Sequence, residues 1–357
     1  MFNQLSNNKR VNIHVFSLRK YVIPSILLFF TIGLMLFSNS NLSAAKAGLK
    51  LWAYNVVPAL FPFFVATDLL SYTNICEKIS NIFSKIMRPL FNVPGCGAYA
   101  FILGLISGYP VGAKIAVELR NSGNCSKDEG NRILAFTNNS GPLFIIGTVG
   151  VSLFRNTSIG ILLLISHILS SITVGIILGL TSKKNKISTI NSGKSFLQNK
   201  KYCTFSNLGE ILGNSIFSSI KTILMIGGFV VIFSCLISIL NESNIFSIIN
   251  TLFNPLFNTF RLNTSFIKPI LTGIIELTNG MALVCNIPGK NIAINILACA
   301  FLLGFGGISV LLQVFSIVSK SDLSIKTYLY GKILQGIIAC FYTYILICNF
   351  SFFNFNL

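Results

Sequence analysis

The chain has 357 residues, of which 53% are hydrophobic and only 10% are charged, and it carries a formal net charge of +18. So small a charged fraction excludes an ordinary soluble domain, in which about 25% of residues are charged. The composition instead predicts an integral membrane protein crossed by helices of roughly 20 apolar residues.

The basic residues are distributed unevenly along the predicted membrane segments. With the N-terminus in the cytoplasm, 21 of the 27 Lys and Arg residues fall on the cytoplasmic side, Lys332 among them, and 6 fall outside. This is the positive-inside bias of membrane proteins, and the opposite orientation would violate it. The charge therefore predicts contact with the lipid bilayer, and we expect no nucleic-acid partner.

The N-terminal region comprises a cytoplasmic tail, residues 1–20, and a transmembrane helix, residues 21–39. Basic residues precede the apolar run and Ala45-Lys46-Ala47 follows it, which also fits a signal peptide with its cleavage site. The apolar stretch is long for that role, which favours a retained helix.

The next region, residues 50–181, is predicted to form a first repeat. It starts with a helix kinked by two prolines and continues with a helix along the membrane interface. A hairpin too short to cross twice follows, then a helix broken by Asn, Gly and Pro, then a full span. The segments are, in order, Leu51–Tyr72, Ile75–Phe91, Cys96–Leu119, Ile133–Phe154 and Ile159–Leu180.

A polar linker, residues 182–210, precedes a second repeat, residues 211–350, which has the same plan. A helix is followed by an interfacial segment, a second hairpin, a helix broken at residues 304–307 and a last span. The segments are Ile216–Leu240, Ile245–Phe260, Ile267–Cys285, Ile292–Val318 and Tyr328–Phe350.

Three landmarks relate the two halves at nearly one offset. The hairpin sequence from Gly104 returns from Gly273, 169 residues later, while the Pro-Leu-Phe from Pro89 and the break at Asn139 each return 166 residues later. The first half enters its repeat from outside and the second from inside. The sequence thus predicts an all-α integral membrane fold of two inverted-topology repeats, each with a re-entrant helical hairpin and a broken transmembrane helix, plus an extra N-terminal helix. Such a plan is typical of secondary transporters whose site lies where the halves meet.

Substrate-binding candidates in the first half lie at the hairpin tip and at the helix break. The start of the second half-helix offers free N–H groups to an anion, and Lys114 one turn later could add a positive charge. Alternatively, the glycines only allow packing and Lys114 extends to the cytoplasmic surface. The candidates are Gly108, Tyr109 and Lys114 at the tip, and Asn138, Asn139, Ser140 and Gly141 at the break.

In the second half, Glu276 is the sharpest candidate, because a carboxylate at the bilayer centre costs roughly 2.5–3.5 kcal/mol. It could bind a coupling cation or proton, or it could form a structural ion pair with Lys268 or Lys114. His167 and Asp68 are expected to be structural. The remaining candidates of this half-site are Thr278, Asn279, Gly306, Gly307, Ser309 and Gln313.

Catalysis and metal binding find no support in the sequence. The nine cysteines include no Cys-x-x-Cys pair, and the motifs of zinc proteases, serine hydrolases and P-loop enzymes are absent. We therefore predict that the chain is not an enzyme and has no metal site. It needs no cofactor beyond a possible coupling proton or sodium ion.

The segments Ile106–Lys114 and Asn138–Gly150 resemble the sporulation integral membrane proteins of the YlbJ type, also called SpoVV, of endospore-forming Firmicutes. The resemblance covers almost the whole chain beyond the first helix. That family carries the nucleoside-recognition (Gate) domain and is implicated in moving dipicolinic acid from the mother cell toward the forespore. The resemblance thus implies a multi-pass protein of the outer forespore membrane that transports a small anion, dipicolinate.

A more distant resemblance is to concentrative nucleoside transporters, which place a hairpin tip and a broken helix from each repeat around one substrate. Their Gln-Thr-Glu type tip is here Gly108-Tyr109-Pro110, which suits a dicarboxylate better than a nucleoside. For dipicolinate, two opposed helix starts could each take one carboxylate while Tyr109 or Phe305 stacks on the pyridine ring. The alternatives are a nucleoside or nucleobase carrier and a non-transporting scaffold of spore assembly. The oligomeric state, including a homo-oligomer, is left open.

Overall fold

The computed structural model describes residues 21–182, 203–259, 263–288 and 292–349. Every regular element within those residues is a helix. Helices satisfy their backbone hydrogen bonds internally, which is the condition for crossing lipid. The predicted all-helical membrane fold is thereby confirmed.

The first half of the structure contains eight α-helices and two π-helical segments, at Trp52–Val56 and Leu143–Leu153. Short helices dominate it because glycine, proline and asparagine interrupt the apolar runs. The α-helices are α1 (Tyr21–Leu36), α2 (Ser38–Leu51), α3 (Val57–Leu70), α4 (Ile75–Phe91), α5 (Cys96–Ser107), α6 (Val111–Asn121), α7 (Lys127–Thr137) and α8 (Thr157–Thr181).

The second half, as far as it is described, begins with a long helix. A 3-10 turn, Thr264–Phe266, precedes its hairpin. The helices are α9 (Leu208–Glu242), α10 (Ile245–Thr259), α11 (Ile267–Ile275), α12 (Leu277–Cys285), α13 (Ile292–Phe305), α14 (Gly307–Val318) and α15 (Ile325–Asn349).

Among the described residues, four helical units are long and apolar enough to cross a membrane: α8, α9, α13 with α14, and α15. Two further pairs qualify only as bent units: α1 with the helix that follows it, bent by 101°, and α4 with α5, bent by 93°. The chain is therefore a multi-pass membrane protein. The opposite insertion of the two halves and the boundaries of the repeats stay predictions, and most of the linker 182–210 lies outside the described residues.

Two helices differ from the sequence prediction. Residues 40–49, which lie between the predicted helix 21–39 and the predicted first repeat, belong to α2, which packs along α9. Alanines 44, 45 and 47 favour a helix there, and the buried Asn41 amide donates to the carbonyl of Gly33 at 2.9 Å. Helix α9 begins at Leu208, eight residues before its predicted start, and has 35 residues.

The predicted interruptions are present in both halves. The arms of the first hairpin, α5 and α6, pack together around residues 108–110, and those of the second, α11 and α12, pack around Glu276. Helix α7 ends at Thr137, and the next helical segment begins at Leu143. Helices α13 and α14 are separated at Gly306. These four breaks position the candidate site.

An ion pair outside the spans ties the first hairpin to the second half. At the end of α6, Arg120 donates from Nε and Nη2 to the two carboxylate oxygens of Asp322, both at 2.9 Å. The hydrogen bonds from this guanidinium lower the pKa of the Asp322 carboxyl. Because the pair is exposed, we expect it to fix geometry rather than to add much stability.

Candidate functional site

The four breaks converge on one cavity. It contains about 550 Å³ of empty space, including the part that opens to the outside. Its apolar lining comes from α3, α9 and the two hairpins. Eight of the fourteen predicted site residues line it: Gly108, Tyr109, Ser140, Gly141, Glu276, Thr278, Ser309 and Gln313.

Tyr109 at the tip of the first hairpin joins the two halves. Its ring lines the cavity, and its hydroxyl donates to the carbonyl of Leu303 at 3.2 Å, in the last turn of α13. A Cβ built on Gly306 would lie 3.2 Å from the same hydroxyl. The Tyr109 hydroxyl therefore sits at the break between α13 and α14.

Asn138 and Asn139 do not line the cavity and instead hold the break of the first half in place. The Asn138 side-chain oxygen accepts from the Ala113 N–H at 3.2 Å, which caps the start of α6, while its amide donates to the Tyr328 hydroxyl at 2.8 Å. The Asn139 amide donates to the carbonyl of Phe136 at 2.8 Å. Both side chains are fully buried. These two side chains thus form hydrogen bonds with backbone groups at the break after α7.

His167 supports the same break from α8. Its Nε2 accepts from the Ser140 N–H at 3.2 Å, and the ring is buried. The expectation of a structural role holds, although the partner lies 27 residues away along the chain.

Glu276 caps the second arm of its own hairpin. Its two carboxylate oxygens accept from the N–H groups of Thr278, at 3.1 Å, and Asn279, at 2.8 Å. The alternative of an ion pair with Lys268 or Lys114 is wrong, because each of these lysines binds elsewhere. Asn279 does not line the cavity, and its amide donates to Ser234 at 3.2 Å.

The start of α14 carries no side-chain cap. Gly306 and Gly307 have φ values of 86° and 81°, a left-handed geometry that disfavours other residues. Neither glycine lines the cavity, but Ser309 and Gln313 one and two turns later do. Within the part of the chain that the structure describes, these two buried side chains make no hydrogen bond.

The four helix starts at the breaks therefore differ in availability. The start of α6 is occupied by Asn138 and that of α12 by Glu276. The starts of α14 and of the segment Leu143–Leu153 have no side-chain cap, and Ser309 and Gln313 in the first turns of α14 line the cavity. This replaces the expectation that two opposed helix starts each take a carboxylate.

Lys114 points away from this cavity. Its ammonium group lies 3.1 Å from the Asp68 carboxylate and 2.8 Å from the Ser218 hydroxyl. Lys114 and Asp68 border a second cavity of about 410 Å³ between α3, α6 and α9, which Ser219 and Thr222 also line. Lys114 thus connects the first hairpin to α3 and α9, and Asp68 has the structural role expected from the sequence.

We expect the substitution Lys114→Met to leave ligand binding in the first cavity unchanged. The methionine keeps the aliphatic length and removes the partly exposed ion pair with Asp68 and the hydrogen bond to Ser218, so the fold should persist. Binding isotherms of the purified variant and of Asp68→Asn would check this. A loss of binding in Lys114→Met alone would place the lysine back in the substrate site.

The sequence analysis missed a lysine that lies next to the cavity. Lys332 on α15 is fully buried, so its assignment to the cytoplasmic surface is wrong. Its ammonium group donates to Gln335 Oε1 at 2.7 Å and to the Tyr109 hydroxyl at 3.4 Å. Tyr328, Lys332 and Gln335 share one helix face, and this i, i+4, i+7 spacing of polar groups in an apolar span was the available signal.

Comparison with known proteins gives two matches. The Gate family, described as nucleoside recognition, matches residues 53–140, which include the first hairpin and most of the break that follows α7. The chain is also 32% identical over 335 residues to the sporulation integral membrane protein YlbJ of Bacillus subtilis (strain 168), with 91% of this chain and 82% of that protein covered.

Proposed function

We propose that this chain, which belongs to the family of the sporulation integral membrane protein YlbJ, is a secondary transporter of a small anionic metabolite. The observation that carries the proposal is the cavity at the four helix breaks, where the buried residues Ser309 and Gln313 make no side-chain hydrogen bond to any described residue. Buried polar groups are normally satisfied, so unpartnered ones that line a cavity suit a polar solute. Interrupted helices of this kind surround the substrate in secondary transporters.

Dipicolinate is the substrate that we propose. It combines a flat aromatic ring with carboxylates, and the cavity combines an apolar lining with donors on one side. One carboxylate would bind at the uncapped start of α14 and accept from the Ser309 hydroxyl and the Gln313 amide. The ring would lie against Tyr109. In a sporulating cell, the protein would act in the outer forespore membrane, with its N-terminus in the cytoplasm.

Uptake into proteoliposomes tests this proposal. Liposomes that contain the folded, purified protein should accumulate dipicolinate faster than protein-free liposomes, in at least one imposed gradient of protons or sodium. Absence of uptake under every gradient and in both directions would remove the transporter proposal. A stable protein partner without any ligand response would then favour the scaffold alternative.

A nucleoside or nucleobase carrier is the second candidate, and the match to a family described as nucleoside recognition favours it. The same cavity offers Glu276 as an acceptor for a ribose hydroxyl. Competition separates the two candidates. Unlabelled uridine should leave dipicolinate uptake unchanged under our proposal, and it should abolish uptake of labelled uridine if the second candidate is right.

We expect Gln313→Leu to weaken dipicolinate binding by roughly 10-fold, the value of one lost hydrogen bond to a charged group. The melting temperature without ligand should stay the same or rise, because Gln313 has no hydrogen-bond partner in the described chain. Ser316→Ala, at an exposed position of the same helix, is the control and should match the wild type. Isothermal titration against dipicolinate gives the affinity of each variant, and a melting curve without ligand gives its melting temperature. Unchanged binding by Gln313→Leu would exclude this side chain from the site.

A further inference from the structure

Lys332 is an ionisable side chain in α15, a helix long and apolar enough to cross a membrane. Its side chain has no exposed surface, and its ammonium group lies 5.2 Å from the ring centre of Tyr109 and 5.7 Å from that of Tyr328. Gln335, which accepts from the ammonium group, donates to Asn139 at 2.9 Å. The lysine is thus held in one position by the break of the first half.

Among the described residues, no carboxylate lies within ion-pair distance of the Lys332 ammonium group. The ion pairs among the described residues join Arg88 to Glu129, Lys114 to Asp68 and Arg120 to Asp322, and none includes Lys332. Burying a charge without a counter-charge costs several kcal/mol. Ionisable groups inside membrane segments usually mark a substrate or ion pathway for this reason.

The position of Lys332 relates it directly to the cavity. Its ammonium group donates to the Tyr109 hydroxyl, which lies at the break between α13 and α14, and the Tyr109 ring forms part of the cavity wall. One side chain therefore separates the positive charge from the uncapped start of α14. A charge in this low-dielectric position acts over several ångströms, because water is not there to screen it.

We infer that Lys332 is the fixed positive charge that makes this cavity accept anions rather than neutral solutes, with Tyr109 relaying its effect. The inference rests on the proposed function and deepens it, since it names the residue that sets the charge class of the substrate. Among the described residues that line the cavity, Glu276 is the one acid. Its carboxylate accepts from the N–H groups at the start of α12 and makes no ion pair with Lys332.

The two possible roles of Lys332, selection of anions and support of the fold, predict different effects of its removal on the melting temperature. A buried ion replaced by an apolar side chain of similar length often leaves a protein equally stable or more stable. If Lys332 serves selection, Lys332→Met should keep its melting temperature without ligand and lose its response to anions. If Lys332 serves the fold, through Gln335 and Asn139, the melting temperature itself should fall.

The test compares two ligands of one shape on the full-length protein in detergent. Pyridine-2,6-dicarboxylate carries two charges, and pyridine-2,6-dicarboxamide carries none. We expect the wild type to bind the dicarboxylate and to respond weakly to the diamide. Lys332→Met should bind the dicarboxylate roughly 10- to 100-fold more weakly, as for the loss of a charged interaction, and should bind the diamide better than the wild type does. Lys326→Met, at an exposed position of the same helix, should behave as the wild type.

Four outcomes overturn the inference. Equal affinity of wild type and Lys332→Met for the dicarboxylate removes Lys332 from selection and leaves the transporter proposal intact. Failure of both Lys332→Met and Lys332→Gln to fold shows a structural lysine. A wild type that binds both ligands equally has no charge selection, and one that binds neither, in parallel with absent liposome uptake, removes the inference together with the proposed function.

Discussion

Replacing Gly280 with alanine is expected to separate the arms of the second hairpin and to abolish dipicolinate uptake. A Cβ at this position would lie 2.0 Å from the Cα and 2.3 Å from the N of Gly273. Carbon atoms in contact stay about 3.5–4.0 Å apart, and the obstacle is backbone, which cannot rotate away as a side chain can. The arms must therefore move apart by more than an ångström.

The loss of stability should reach or exceed the upper end of the roughly 1–3 kcal/mol typical of overpacking, and the melting temperature of Gly280→Ala should fall accordingly. Gly213→Ala on α9 is the matched control, because a Cβ there meets nothing within 4 Å. That control should equal or exceed the wild type in stability, since alanine favours a helix interior by about 0.5–1 kcal/mol. Equal melting and equal uptake of the two variants would contradict the close packing of the hairpin arms.

The breaks in the helices could be predicted because their causes are local. Pro142 lacks an N–H and clashes with the preceding turn, and Gly306 tolerates a φ of 86°. These properties belong to the residues themselves and hold in any surroundings. The positions of the hairpins and of the interruptions followed from them, and eight of the candidate residues at these interruptions line one cavity.

The partners of the polar side chains could not be predicted, because they depend on tertiary contacts. Asn138 and Ser140 are neighbours in the sequence, yet one caps α6 and the other borders the cavity. Lys114 lies within one turn of the hairpin tip, and the helix turns its side chain toward Asp68. The spacing of residues in the sequence predicts where a helix breaks. It does not predict which neighbours each polar side chain at the break contacts.

The burial of Lys332 was indicated in the sequence only by the spacing of the polar residues on its helix. The lysine lies four residues after the predicted start of its span at Tyr328, where a lysine ordinarily extends to the membrane surface. In the structure, α15 packs against α7, α8 and α13, and these neighbours enclose the side chain. Burial here is a property of the assembled bundle.

Replacing Glu276 with alanine is expected to cost stability and transport together, whereas Glu276→Ser should restore only stability. Alanine leaves the buried N–H groups of Thr278 and Asn279 without the carboxylate that now accepts from them. Loss of an N-cap costs about 0.5–2 kcal/mol, and serine is among the preferred caps. The melting temperatures should therefore follow the order wild type, Glu276→Ser, Glu276→Ala.

Transport should be lost in both variants, because each removes the acidic side chain that lines the cavity. A carboxylate that faces a substrate site in the membrane can bind a coupling proton or cation. A serine hydroxyl does not ionise near neutral pH and carries no charge for this purpose. Uptake driven by a proton gradient and by a sodium gradient, measured for each variant beside its melting curve, separates the two roles.

In the proposed transporter, the two roles of Glu276 are compatible because they would use the carboxylate in different states of the cycle. While the oxygens accept from the start of α12, that arm of the hairpin stays fixed and one wall of the cavity is closed. A proton or cation that took over the oxygens would release the N–H groups and loosen the arm. If Glu276→Ser showed the same uptake as the wild type, Glu276 would act only as the cap of α12. Retained folding with lost uptake would tie movement of the second hairpin to the charge of this one side chain.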